Sequence, residues 1–169
     1  MKSTSPPQSC SEIQLLLSHL DSAYDKKAWH GPNLKAAIRR LSAEQASWRP
    51  GPGRRSIAEI VMHAAYWKYA VRRRLRGDKR GSFTLKGSNW FVLPEPLSEK
   101  AWRNCLTILE TEHRGVRDTV ASFKPELLSV ITPGSKYTPA FMIQGVANHD
   151  LYHAGQIQLL KRLQGEASR

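Results

Sequence analysis

The stretch from Asn148 to Leu160, "NHDLYHAGQIQLL", sets two histidines four positions apart in a segment that otherwise reads as a buried helix. Met142, Val146, His149, His153, Gln156 and Leu160 advance by three or four residues. That interval stacks side chains on one face of an α-helix, so both imidazoles share the core-facing stripe, one turn apart. A neutral imidazole in a core must satisfy both ring nitrogens, and two stacked ones need a shared partner. A metal ion is such a partner, and histidines at i and i+4 form the bidentate clamp used on zinc-protease helices. Taken alone, the pair reads equally as ligands or as a core or surface pair.

Working outward, Thr138 followed by Pro139 is a cap residue with proline at the first helical position, which predicts a helix from there to about Gln164. Three more long helices are expected upstream. The first runs from Ser11 to about Trp29 on Ile13, Leu16, Leu17, Leu20 and Tyr24, broken by "HGPN". The second starts at Ser56, with Glu59 in capping-box spacing, and runs to about Arg76 on Ile60, His63, Trp67 and Val71. The third starts near Ser98 and ends before Pro125, on Trp102, Leu106, Leu109, His113, Val116 and Val120. "NLKAAIRRL" and "SAEQASW" are short helical pieces, the latter opening on Ser42 and Gln45 in capping-box spacing. The Gly- and Pro-punctuated segment 77–96 is a long connection with room for a short extended piece at 82–85 or 90–93, too little for a sheet. The fold class is all-α, a four-helix bundle with long crossover connections. Residues 1–8, with Pro6 and Pro7, read as a frayed tail, and residues 9–169 as a single domain.

His63 lies mid-helix between Ile60 and Trp67. A lone histidine on an apolar face is ordinarily a packed residue. Three inward histidines on two long helices can instead converge on one point between them, where bundles build metal sites.

Composition limits the alternatives. A chain of 169 residues with 40% hydrophobic content supports one sizeable core. No run of eighteen apolar residues and no signal-peptide pattern is visible, so the expectation is a soluble, cytoplasmic protein with no membrane contact. Cys10 and Cys105 form neither a disulfide framework nor a CxxC metal site. The formal charge of +12 raises the question of nucleic acid, and Lys68, Arg72, Arg73, Arg74, Arg76, Lys79 and Arg80 crowd the end of the second long helix. Cations there favour the negative end of the helix dipole. Arg72, Arg73 and Arg76 are candidates for an anion site. Nucleic acid is disfavoured, because no finger, RRM, KH or helix-turn-helix signature accompanies the charge.

The pairing of "SIAEIVMHAAYWKYAVRRRL" with "NHDLYHAGQIQLLKRL" resembles the DinB or YfiT-like superfamily of metalloenzymes, with the "HxxxHxGQI" element the most specific part. The resemblance implies a four-helix bundle holding a divalent metal, zinc or nickel, on three histidines, which carry over onto His63, His149 and His153. It also implies homodimers and metal-dependent chemistry on low-molecular-weight thiols, as S-transferases or isomerases.

Such a site can be argued on its own terms. Three imidazoles leave an ion an open position for water or substrate, and bring it no negative charge. There a water would lose a proton near neutrality, and a thiol would be held as thiolate. Gln156 points the same way as His153 and is a candidate for binding substrate or water. Asp150 and Tyr152 flank the clamp and are candidates to orient it. Trp67 reads as core or pocket wall, and His30 with Trp29 as pocket-mouth residues. His113 reads as packed, and Glu59 as accounted for by its cap. The leading reading is a metal-dependent enzyme on a small molecule, hydrolase-like or thiol transferase. The alternatives are a non-catalytic metal-binding or stress-response bundle and, behind it, a nucleic-acid binder.

Overall fold

The computed structural model describes residues 11–79, 81, 83–131 and 135–167. The expected tail at residues 1–8, Cys10 and Arg80 lie outside them. The elements are α1 (Glu12–Tyr24), α2 (Leu34–Ile38), α3 (Ala43–Ser47), α4 (Ile57–Leu75), α5 (Glu99–Ala121), a 3₁₀ turn at Pro125–Leu127, and α6 (Pro139–Ala167). Among the described residues there is no strand, and no helix is long and apolar enough to cross a membrane.

The helix starts are set by local chemistry. Ser11 with Gln14, Ser42 with Gln45 and Ser56 with Glu59 close reciprocal capping boxes. Ser98 caps through the amide of Ala101, and Thr138 Oγ1 accepts from the amide of Phe141. A cap of this kind contributes about 1 kcal/mol. The first helix stops at Tyr24, short of the expected Trp29. The amides of Asp25 and Lys26 both fold back onto the Asp21 carbonyl. Asn33 then holds the turn, donating from Nδ2 to the Lys26 carbonyl at 2.8 Å while its Oδ1 caps α2 at 3.0 Å.

The four long helices form a bundle in which α1 and α4 each pack on both α5 and α6. Their directions follow from side-chain pairing. Asp21 meets Arg117 and Tyr24 meets Glu110, so α1 and α5 are antiparallel. At one end of the core, Ile57 to Ala65 of α4 lie with Trp102 to Leu109 of α5. At the other end, Val71 and Leu75 lie with Val116 and Val120, so α4 and α5 run the same way. Parallel neighbours need a return connection as long as the helix, roughly 28 Å for the 19 residues of α4. The segment 76–98 makes that return, the crossover expected from its length.

This return also covers α4. Ile57 through Ala65 are buried without a break, because the connection packs Phe83 and Phe91 over the helix. These rings sit 5.1 Å apart and within 6 Å of Tyr66. The core is otherwise made by Leu20, Val61, Met62, Leu109, Val116, Ile143 and Ile157.

Lys68 departs from the sequence reading. It is not part of the basic helix end but is wholly buried, ion-paired with the equally buried Asp150 of α6. Its position three residues after Ala65 and four after Ala64 places it on the inward face. Its ammonium also lies 5.0 Å from the centre of the Tyr24 ring. His113 is packed as expected, stacked on the other partner of this group, Tyr24, at 3.6 Å. Removing one member of a buried pair leaves an uncompensated charge at a cost of about 3–5 kcal/mol, whereas replacing both by apolar groups is near neutral. Urea denaturation of Lys68→Met is therefore expected to show a loss of that order, with most of it recovered in Lys68→Met/Asp150→Leu. An equal loss in both variants would show that the charge pairing is not what matters.

Candidate metal centre

His63 meets His149 and His153, whereas Val71, further along α4, lies with Met142 and Val146, so α4 and α6 run antiparallel. His149 Nε2 lies 3.2 Å from His63 Nε2 and 3.0 Å from His153 Nε2. The candidate ligand atoms of all three fall within 4.8 Å of one another.

The outer nitrogens decide which way the lone pairs point. His63 Nδ1 is 2.8 Å from the carbonyl oxygen of Asn89. A carbonyl only accepts, so Nδ1 carries the proton and the Nε2 lone pair faces inward. His153 Nδ1 donates to Gln156 Oε1 at 2.7 Å, while Gln156 Nε2 donates to the Tyr152 hydroxyl at 3.0 Å. That orientation fixes the second tautomer the same way. Two inward lone pairs therefore flank His149 Nε2, which as a donor could serve only one of them, and His149 Nδ1 is buried with no hydrogen-bond partner. A divalent ion would accept all three lone pairs, so this donor set fits a metal.

Burial keeps the rings neutral, the form that ligates. It lowers His149 to about 3, helped by its two histidine neighbours, and His153 to about 4. Burial and the nearby Arg55 lower His63, against the pull of its bond to Asn89.

A cavity of about 530 Å³ opens over the three imidazoles. Trp90 forms part of its wall, lying flat on His63 at 3.9 Å with the planes 6° apart. The Arg55 guanidinium also lies over the Trp90 ring, 4.8 Å from its centre, and bonds Glu59 at 2.8 Å. Glu59 is thus held by its cap and by Arg49 and Arg55. A separate cavity of about 480 Å³ beside Lys35, Arg40 and Glu110 touches none of the three histidines.

Of the residues singled out in the sequence, Gln156 and Tyr152 lie at the cavity, linked to His153 as described. Trp67 stands edge-on to both His63 and His149 at 6.3 Å and borders a smaller apolar cavity of about 260 Å³ behind them. Asp150 is turned the other way, toward Lys68. His30 and Trp29 are exposed in the loop after α1, away from the cavity lining. The three anion candidates are each engaged elsewhere. Arg72 holds the buried Glu112 at 2.8 Å, Arg76 pairs with Asp78 at 3.0 Å, and Arg73 donates to the Asp78 carbonyl at 3.1 Å.

Sequence reading missed the Asn89 carbonyl, Trp90, Arg54 and Arg55. A backbone carbonyl leaves no trace in residue type. The only signal for Trp90 is a large aromatic beside Asn89 in a Gly- and Pro-rich loop.

An all-helical bundle with three imidazoles converging at a cavity defines a class of proteins able to hold a metal ion between helices. Residues 28–157 match the family model of the DinB superfamily, and the chain belongs to that superfamily. The crystal structure of a conserved protein from Enterococcus faecalis superposes with a TM-score of 0.66, covering 92% of this chain and 98% of that one. At 17% identity the likeness is one of fold. No curated protein matches the chain in sequence.

The buried imidazoles make stability depend on pH. In the unfolded chain they take up protons below about pH 6.5. Folded, His149 and His153 resist protonation down to about 3 and 4, and burial holds His113 at about 2. The unfolded state therefore binds more protons across this window, and stability falls as pH falls through it. The urea midpoint of metal-free protein is expected to be lower at pH 5 than at pH 7. A flat midpoint would contradict the buried, neutral state of these rings.

Proposed function

We propose that this protein binds one divalent metal ion, zinc or nickel, on His63, His149 and His153, and acts as a metal-dependent enzyme on a small molecule, hydrolase-like or a transferase of a low-molecular-weight thiol. The observation that carries this reading is the fixed tautomer of His63 and His153. Their protons are drawn outward to Asn89 and Gln156, and their lone pairs converge with His149 at the floor of an open cavity. Such an ion supplies Lewis acidity and lowers the pKa of a water or thiol bound to it. The residues of the chain do the rest. Asn89 and Gln156 orient the imidazoles, Trp90 shields one side of the site, and Tyr152 anchors Gln156 from the rim.

A functional rather than structural ion is favoured by the core. The four long helices bury Leu, Ile, Val and Trp side chains without needing a metal, whereas structural zinc serves chains too small to do so. A homodimer, which rests on the family, and a cytoplasmic setting belong to the same proposal.

Metal analysis of protein purified without chelator or histidine tag is expected to give about one divalent ion per chain. His149→Ala or His153→Ala should abolish tight binding. Metal-free protein should keep its helical circular dichroism and melt at a lower temperature, having lost about 2.7 kcal/mol of the stability present with metal at a hundredfold excess over Kd. The cobalt form should change its spectrum with azide, imidazole or a thiol, and a thiol-transfer panel on loaded protein follows. Unchanged metal content in the triple histidine variant would sink the metal reading. Metal-free protein that is unfolded at room temperature would sink the enzyme reading.

A further inference from the structure

The walls of the cavity over the histidines carry information about its occupant. Arg54 and Arg55 border it, and among the described residues no aspartate or glutamate does. Arg55 is committed to Glu59 and to the face of Trp90. The Arg54 side chain has no partner among the described residues; only its backbone is engaged, the carbonyl accepting from Arg49 and the amide donating to the Gly51 carbonyl. Three neutral imidazoles add no negative charge. A divalent ion on them would leave its full charge and that of Arg54 uncompensated in one concave, partly apolar space, where fields are focused.

Part of the cavity lining is apolar. Tyr152, Leu159 and Leu163 are 63%, 58% and 38% exposed, unusual for large side chains on the helix that carries the ligands. They are not scattered, since their spacing keeps them on one face of α6 and all three line the cavity. From His153 to Leu163 this wall extends roughly 15 Å along the helix axis. A volume of about 530 Å³ lies within the usual range of small-molecule sites.

We propose that this cavity receives a small anionic amphiphile, with its anionic group at Arg54, its apolar segment along Tyr152, Leu159 and Leu163, and its reacting atom at the histidine cluster. This assignment rests on the reading of that cluster as an open metal centre. A cationic ligand would face Arg54 and Arg55 with no carboxylate to receive it. A wholly polar one would leave the leucine wall in water. A nucleic-acid strand would find the basic helix end at Arg72 and Arg76 already paired with acids.

Calorimetric titration of the full chain with octanoate, 1-octanol and octylamine, with and without zinc, tests the class, with zinc content measured on the same samples. Octanoate is expected to bind about tenfold more tightly than octanol or octylamine. Arg54→Ala should lose about that factor for octanoate and leave octanol unchanged. Leu159→Ser/Leu163→Ser should weaken octanoate without affecting acetate. Arg54 is in an exposed loop, and Arg54→Glu gives a second variant that should repel the anion. Octanoate binding no tighter than octanol, or insensitivity to both Arg54 variants, would overturn the proposal. The two readings fail separately. Zinc bound without preference for octanoate rejects the amphiphile alone. Arg54-dependent octanoate binding retained in a zinc-free His63→Ala/His149→Ala/His153→Ala variant supports the amphiphile site, whatever becomes of the metal.

Discussion

Lys68 and Asp150 meet between α4 and α6 with no surface exposed on either. Two full charges in a core are tolerable only in one register, since a slip of one helical turn, about 5.4 Å, would strand both in an apolar setting. Lys68 follows His63 by five residues, and Asp150 adjoins His149. The register that satisfies the ion pair is therefore the one that brings the three Nε2 atoms together. Burial holds the Asp150 carboxyl above its ordinary range, and the Lys68 ammonium counters that, so the two residues depend on each other.

The second constraint is topological. Parallel α4 and α5 oblige the chain to travel back along the bundle, and loop-closure entropy grows slowly enough with length to allow it. The connection does more than close the path. Phe83 and Phe91 bury against α4, and the same segment sets the Asn89 carbonyl on His63 Nδ1 and the Trp90 ring on its face. A helix alone could present the imidazole but could not select its tautomer.

Electrostatics follow the same economy. The chain has 26 basic and 14 acidic residues, and several of the acids join one helix to another. Asp21 holds Arg117 between α1 and α5, Glu110 holds Lys35 between α5 and α2, and Glu112 holds Arg72 between α5 and α4. The high net charge thus overstates the free field near the end of α4. There Arg72 and Arg76 are neutralised locally, while Arg54 at the cavity is not.

The helices, their serine caps and the inward stripe of His63, His149 and His153 could be read from the sequence alone. Periodicity and capping are properties of residues close together in the chain, and three histidines on two inward faces leave few places to go. The family resemblance rested on those same two helices. What depended on distant residues was not legible. Lys68 looked like one more cation in a basic run until α6 supplied Asp150, and Asp150 looked like a neighbour of the clamp until its carboxyl was seen turned from it. His30 suggested a pocket mouth, but Asn33 turns the chain after α1 and leaves that histidine exposed. The partners of the imidazoles were equally hidden, because one is a backbone carbonyl in a connecting loop. Sequence determined which side chains face inward; only the packing of α4, α6 and the crossover decided what each one meets, since burial and hydrogen bonding are settled between segments and not within them.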